Sequence, residues 1–535
     1  MGSTLSRRAF LGMGAVGAAA IGAGLAGCAP STKAAPTEGG AALSDTGLSF
    51  LNAPDPIPES DITATETYDV VVVGGSSAGL AAAASAAEES ARVICLEKTP
   101  TPAGAGTYYG FINTELLSRN GVAAVDEQDY EKRLIEAALG ATNPKLVHAY
   151  VSNSAKVGDW LEDVTQQTGN ELKFSADMGS ENTACFDDNT PGASAYDVLT
   201  AYGTSKGATY VYETEAVQLE KDDAGRIAAV IAKTPDGYVR YEAEKGVVLA
   251  TGGYNGDAEM IEAYIPWVDQ DVLAQMSPIA DTGNTGDGLK MAAWAGARIA
   301  EGPHCPMIHF IQGAMPMAGS LFVNATGERF MDEGTSMEVA AQILMRQPGH
   351  RMWQISDAKP SGMALVMAMS AGQSAPDGAE GAEGAPAESG LAEQGPMANM
   401  AADDSPTFDT LDELAASIDM DPAVLASTVE RFNELVAAGK DEDFNSDFTL
   451  AVSIDTPPFK AVEAPPCALA TMGGPQINEA MAVLDEDYAP IPCLYAAGNC
   501  AGGFYGPNYP MQVQSGLARA FCTVSGYLAA KNALA

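Results

Sequence analysis

Residues 68–79 read Tyr68-Asp69-Val70-Val71-Val72-Val73-Gly74-Gly75-Ser76-Ser77-Ala78-Gly79. Four valines in a row predict a strand buried on both faces, the glycine pair a tight turn, and the small residues after it a helix. A second apolar run, Arg92-Val93-Ile94-Cys95-Leu96, follows and ends on Glu97 and Lys98. This is a βαβ unit of the dinucleotide-binding kind. Its turn seats a pyrophosphate on the backbone of Gly74, Gly75, Ser76, Ser77, Ala78 and Gly79, where a helix begins. Glu97 is spaced to accept hydrogen bonds from a ribose. One position departs from G-x-G-x-x-G: Ser76 stands at the middle glycine.

The charge balance narrows the partners. Lys plus Arg number 28 and Asp plus Glu 70, so 28 − 70 gives a net charge of −42. A surface this acidic repels nucleic-acid phosphates and anionic lipid headgroups, which excludes nucleic acid as a partner. The eight cysteines, at 28, 95, 185, 305, 467, 493, 500 and 522, form no C-x-x-C and no haem-attachment motif, so no metal or haem is expected. Cys95, Cys493 and Cys522 sit in apolar stretches and read as small buried hydrophobes.

Residues 1–28 read as a targeting segment. Ser6-Arg7-Arg8-Ala9-Phe10-Leu11 has the twin-arginine form, a Gly/Ala-rich stretch follows, and Leu25-Ala26-Gly27-Cys28 resembles a lipobox. The expectation is export through the twin-arginine route, with Cys28 lipidated at the outer face of the cell membrane. Residues 29–65 then read as a flexible tether, and the Ala/Gly/Glu/Pro-rich stretch 371–406 as a disordered acidic insertion.

Between these the chain alternates strands and helices. Residues 209–243 read as strands joined by turns at Asp223-Ala224-Gly225 and Pro235-Asp236-Gly237, and 245–253 as another strand ending in glycines. Residues 409–438 carry helical spacing, with Leu411, Leu414, Ile418, Leu425, Val429, Phe432 and Leu435 on one face. Tyr495-Ala496-Ala497-Gly498-Asn499 is a strand entering a turn, and 516–534 a small-residue helix.

The fingerprint, Ala250-Thr251-Gly252-Gly253-Tyr254, Asn284-Thr285-Gly286-Asp287-Gly288 and Tyr495-Ala496-Ala497-Gly498-Asn499, in this order, make the chain resemble the FAD-dependent fumarate reductase and succinate dehydrogenase flavoprotein superfamily. That superfamily also contains urocanate reductases and 3-ketosteroid dehydrogenases. The resemblance implies an α/β fold: a Rossmann-like FAD-binding domain split in sequence (66–305 and 456–535) by an inserted α+β capping domain (306–455). It also implies further flavin contacts at Gly106, Thr107, Thr251, Gly252, Asp287, Gly498, Asn499, Ser515, Gly516 and Leu517, with Lys98 and Ala216 beside them. Asn499 replaces the usual glutamate. No histidine stands in 107–114, where flavinylated relatives carry theirs, so the FAD is expected to be non-covalent.

What the resemblance leaves out is as informative. Relatives that reduce fumarate hold its two carboxylates with Arg and His, and an Arg delivers the proton. By the same matching, the proton-delivery position is Met337, the His of His-Thr-Met-Gly-Gly is Ala470, and the Arg of Gly-x-Asn-Arg is Tyr509. A dianion leaving water needs charge-assisted partners, so these three replacements argue against fumarate and urocanate. Tyr509-Pro510 instead resembles the Tyr-Pro element of ketosteroid dehydrogenases, in which a phenol bonds the substrate carbonyl. Tyr509 is thus the catalytic candidate, with His309 near a substrate-contacting histidine of relatives. Tyr108, Tyr109, Tyr254 and Tyr505 are candidate pocket walls.

The expected activity is reduction of an activated C=C bond in a small unsaturated carbonyl compound, the physiological role being respiration with that compound. Electrons then come from a separate membrane-associated or cytochrome donor. Two alternatives stay open: a dehydrogenase forming a C=C bond beside a ketone, and a lipoprotein that binds flavin or ligand without turnover.

Overall fold

The computed structural model describes residues 47–102, 104, 106, 108–175, 183–186, 190–268, 283–310, 313–359 and 405–535. The targeting segment with Cys28, the first part of the tether, Thr107 and residues 371–404 of the acidic insertion lie outside the described residues.

The valine run is the centre of the main sheet. Strand Ile62–Val73 lies parallel to Val93–Leu96 on one side and Gly237–Leu249 on the other, with Val73 opposite both Leu96 and Leu249. Val70, Val71 and Val72 are fully buried, as expected of a parallel strand covered on both faces. The sheet continues to Thr209–Val211 at one edge and to Pro490–Ala496 and Ala482–Leu484 at the other. A hairpin, Glu215–Lys221 and Ile227–Thr234, extends from Gly237–Leu249 at the expected turns. Residues 237–243 and 245–249, read as separate strands, form one continuous strand.

Helix Ser77–Glu88 is buried on nearly every side, which explains its composition of Ala, Gly and Ser. It is packed against helix Leu517–Leu534, from the other end of the FAD-binding sequence, so closely that a Cβ on Gly526 would meet Ala78 O at 2.1 Å. Small residues on both faces make that approach available.

The cap is a second layer with its own antiparallel sheet, in the order Leu321–Asn324, Met352–Ser356, Phe459–Glu463 and Thr407–Phe408. Helices Leu411–Ser417 and Pro422–Ala438 cover it, burying Leu321, Val323, Trp353, Leu414, Leu425 and Phe432 together.

Three readings change. Strand Phe459–Glu463, placed in the second FAD segment (456–535), belongs to the cap sheet, because its partners are Trp353–Ser356 residues on the cap side. The helical stretch 409–438 is two helices: Asp419 turns into positive φ (56°), and Pro422 starts a new helix rather than continuing the first. The tether is also shorter than residue 65. Phe50 is buried, Trp294 donates to its carbonyl (3.0 Å), and Ile57 N donates to Gln218 (3.0 Å), so 48–61 lie along the body before the sheet begins at Ile62.

Candidate active site

The turn after the valine strand is built for close approach. Gly74 has φ +104°, and a Cβ there would sit 2.4 Å from Ala250 O. Gly79 faces back onto the turn, where a Cβ would fall 1.8 Å from Gly74 O. Ser76, the departure from the glycine pattern, is extended (φ −103°, ψ −168°), a conformation any residue adopts. It makes no side-chain cap, so the first-turn N–H groups of helix Ser77–Glu88 remain for an anion.

Glu97 closes the far side of the turn. Its Oε2 accepts from Gly75 N (2.6 Å) and its Oε1 from Thr99 N and Thr99 Oγ1 (2.8 Å each). Gly74, Gly75, Ser76, Glu97, Lys98, Ala216, Thr251 and Asp287 line one cleft together with Thr99, Thr214 and Asn284, which were not among the expected cofactor contacts. Lys98 Nζ donates to Asp287 Oδ2 (2.7 Å) and Thr285 Oγ1 (3.0 Å), so two expected cofactor contacts meet each other across the cleft. Gly252 adopts φ +76°, and a Cβ there would lie 2.6 Å from Asn284 Oδ1. A glycine cradle, an uncapped helix start and a carboxylate at the strand end fit the adenosine diphosphate half of FAD.

The remaining expected contacts form two junctions beside this cleft. Gly498 (φ +68°) rests on Ala78, where its Cβ would come within 2.8 Å, and its N–H donates to Ser525 Oγ (2.9 Å). Asn499 O accepts from Gly473 N (3.2 Å), and its Oδ1 is 3.7 Å from Cys522 Sγ. Farther along, Gly516 (φ +71°) accepts from Gly110 N (2.9 Å) and backs onto Tyr108 O. Ser515 and the buried Leu517 flank it, and the Arg519 guanidinium donates to Gly106 O.

The reactive candidates meet where cap and FAD-binding segments join. Strand Cys305–His309 pairs antiparallel with Cys467–Met472, setting Met307 opposite Ala470 and His309 opposite Cys467. The Tyr509 ring lies 6.4 Å from the His309 ring and 6.0 Å from that of Tyr505. Tyr509 is buried at 2 % exposure, and its hydroxyl oxygen accepts from Ala518 N (3.0 Å), in the first turn of helix Leu517–Leu534. Burial pushes this phenol up, against the pull of the Ala518 N–H, so the hydroxyl keeps its proton at neutral pH and has it to donate.

Glu338 was missed. It opens helix Met337–Leu344, and its Oε1 is 2.7 Å from His309 Nε2, an ion-pair distance with the N–H off the line to the oxygen. From the same helix Gln342 donates to Asn508 Oδ1 (2.6 Å), beside Tyr509. Met337 packs with Ile308 and Phe310. The two replaced clamp positions, Ala470 and Tyr509, and the replaced proton-delivery position, Met337, therefore border one strand: Met337 and Ala470 against its sides, Tyr509 at its end. Tyr254 and Tyr109, read as pocket walls, are fully buried, and Tyr254 is bonded to His304. Cys500 is buried near Thr251, its thiol pushed up to about 11 by desolvation, whereas Cys493 and Cys522 are only partly buried.

Residues 69–514 match the FAD binding domain family. A probable fumarate reductase of Shewanella frigidimarina is 29% identical over 493 residues, covering 88% of this chain and 75% of that protein. A digoxin reductase of Eggerthella lenta is 29% identical over 554 residues, covering 94% and 93%. The crystal structure of a 3-ketosteroid-Δ4-(5α)-dehydrogenase from Rhodococcus jostii superposes with a TM-score of 0.68 at 21% identity, over 90% of this chain and 99% of that one, a likeness of fold. The split sheet, the glycine cradle and these matches together place the chain in the FAD binding domain family, as an FAD-dependent oxidoreductase of the fumarate reductase flavoprotein superfamily.

Proposed function

We propose that this protein reduces the activated C=C bond of an unsaturated carbonyl compound carrying no pair of carboxylates. The observation that carries the reading is the set of residues around strand Cys305–His309. Met337 and Ala470 offer no charge, and Tyr509 offers a neutral, buried hydroxyl. Two desolvated carboxylates have no cationic clamp at these positions, whereas a carbonyl oxygen gaining negative charge needs a hydrogen-bond donor. The relative named for digoxin supports looking beyond dicarboxylates.

The glycine cradle of Gly74, Gly75 and Gly79 with Glu97 would hold FAD non-covalently, and its reduced form would supply the hydride. Tyr509 polarises the carbonyl or protonates the α-carbon, and the Ala518 N–H holds its oxygen in place. Electrons come from a separate redox protein. Export by the twin-arginine route and lipid attachment at Cys28 complete the reading, on the strength of Arg7-Arg8 and Leu25-Ala26-Gly27-Cys28.

The test is anaerobic. Enzyme reduced with a viologen is mixed with a panel of enones, with fumarate and urocanate as expected negatives, and flavin reoxidation is followed. Reoxidation by enones alone supports the reading, and rapid reoxidation by fumarate overturns it. Flavin reduction by a saturated ketone would assign the reverse direction.

A further inference from the structure

Protonating a substrate carbon empties the Tyr509 hydroxyl, and Tyr509 is 2 % exposed. A phenolate there is poorly solvated, so its proton has to be replaced by a neighbour rather than by bulk water. His309 is that neighbour, with its ring 6.4 Å from the Tyr509 ring and its Nε2 2.7 Å from Glu338 Oε1. The His309 side chain keeps 15 % exposure while that of Glu338 keeps 1 %. Among the described residues neither carboxylate oxygen of Glu338 takes a hydrogen bond, so His309 is the group there that answers its charge. Among the described residues, Cys305, on the His309 strand, and Tyr509 are the other titratable groups shown to feel Glu338, and neither is cationic. A carboxylate so placed orients the imidazole and balances the charge it carries once it has taken a proton, as in other acid–base pairs oriented by a third group.

We propose that Glu338 and His309 form a proton-supply pair that recharges Tyr509 after each reduction. This rests on the reading of Tyr509 as the donor. The Tyr509 O–H bond breaks as the α-carbon C–H bond forms, and the electron pair arrives with the hydride delivered to the β-carbon. An imidazolium N–H of His309 then breaks as the phenol O–H re-forms, directly or through one water. His309 takes its next proton from solvent at its partly exposed edge. Glu338 acts through His309 and is a positioning residue.

The full-length holoenzyme tests this with Glu338→Gln, Glu338→Asp and His309→Gln. Viologen-reduced protein is mixed with an enone that the wild type accepts, and [13C]histidine spectra are recorded on the oxidised protein without substrate. Expected for Glu338→Gln are unchanged bound FAD, unchanged flavin reduction and reoxidation slowed by about tenfold or more. Its rate should also fall off at lower pH than that of the wild type, and Glu338→Asp should recover part of the loss. The His309 resonance, identified by its absence in His309→Gln, should change charge state at lower pH in Glu338→Gln, with those of His148, His304 and His350 unmoved. Unchanged reoxidation in Glu338→Gln overturns the relay, and an unmoved His309 resonance overturns the coupling. A wild type that no enone reoxidises would instead remove the parent reading and this one with it.

Discussion

Tyr254 donates its hydroxyl hydrogen to His304 Nδ1 across 2.8 Å, and the tautomer follows from the other side of the ring, where His304 Nε2 faces Ala300 O at 2.8 Å. A carbonyl only accepts, so Nε2 carries the hydrogen and Nδ1 the lone pair. Tyr264 stacks on the imidazole at 4.3 Å, and a Cβ on Gly473 would collide with it at 2.3 Å. His304 thus ties strand Cys305–His309 to the Gly473-Gly474 turn that follows Met472.

Burial drops the His304 pKa from 6.5 to about 4, only partly opposed by the Ala300 carbonyl. The unfolded chain takes up this proton below pH 6.5, while the native state resists until about pH 4. Stability from this group is therefore present above pH 6.5 and is lost as pH falls. Between pH 7 and 5 the loss is about 2 kcal/mol. Urea unfolding of wild type and His304→Gln at both values checks it: the variant should be weaker at pH 7 and lose less on acidification.

Tyr509→Phe should keep FAD, since the ring still packs and only the hydroxyl that accepts from Ala518 N is lost. Flavin reoxidation by an enone should slow by about a hundredfold or more, the low end for a general acid. Unchanged turnover with a full complement of flavin would take Tyr509 out of the mechanism.

Gly79→Ala should abolish cofactor retention. The added methyl would fall 1.8 Å from Gly74 O, so the helix start must move off the turn that forms the cradle. Ser76→Gly, by contrast, should leave FAD content unchanged, because Ser76 already adopts an extended backbone. The ratio of flavin to protein absorbance after gel filtration reads both.

Arg329→Met should be among the most destabilising single changes in the cap. The guanidinium donates to Glu333 at 2.9 and 2.7 Å and to Asp441 at 3.0 and 2.9 Å, with all three side chains almost wholly buried. Burial raises Glu333 despite this arginine. For Asp441 burial is outweighed by Arg329 and three backbone N–H donors, which hold it at about 2. Removing the cation leaves two uncompensated carboxylates, worth roughly 3–5 kcal/mol. Denaturant unfolding should show that loss, and Glu333→Gln with Asp441→Asn in the same chain should return much of it.

The cofactor half of the site was legible because its signals are local. The turn from Val73 to Gly79 is written in neighbouring residues, and the strand ending on Glu97 lies one helix away. Thr214 escaped because it reaches the cleft from a separate loop with no spacing rule to announce it, and Thr99, next to Lys98, because its contact with Glu97 is tertiary detail. Asn284 stood in a quoted motif without being read as a lining residue. The proton side was barely legible. His309 and Glu338 meet only because a strand pairs with Cys467–Met472 and a cap helix settles on it. The cap boundary failed for the same reason: Phe459–Glu463 reads as strand either way, and only its register with Trp353 assigns it. The break at Asp419 was visible in Pro422 but yielded to the apolar spacing on both sides of it.

Helix Leu517–Leu534 is wedged against the fingerprint helix through Gly526 and Ala78, and Gly498 leans on the same alanine. The flavin cradle therefore takes its back wall from a helix encoded after the cap, and is complete only when the two sequence-distant halves of the FAD-binding segment have met.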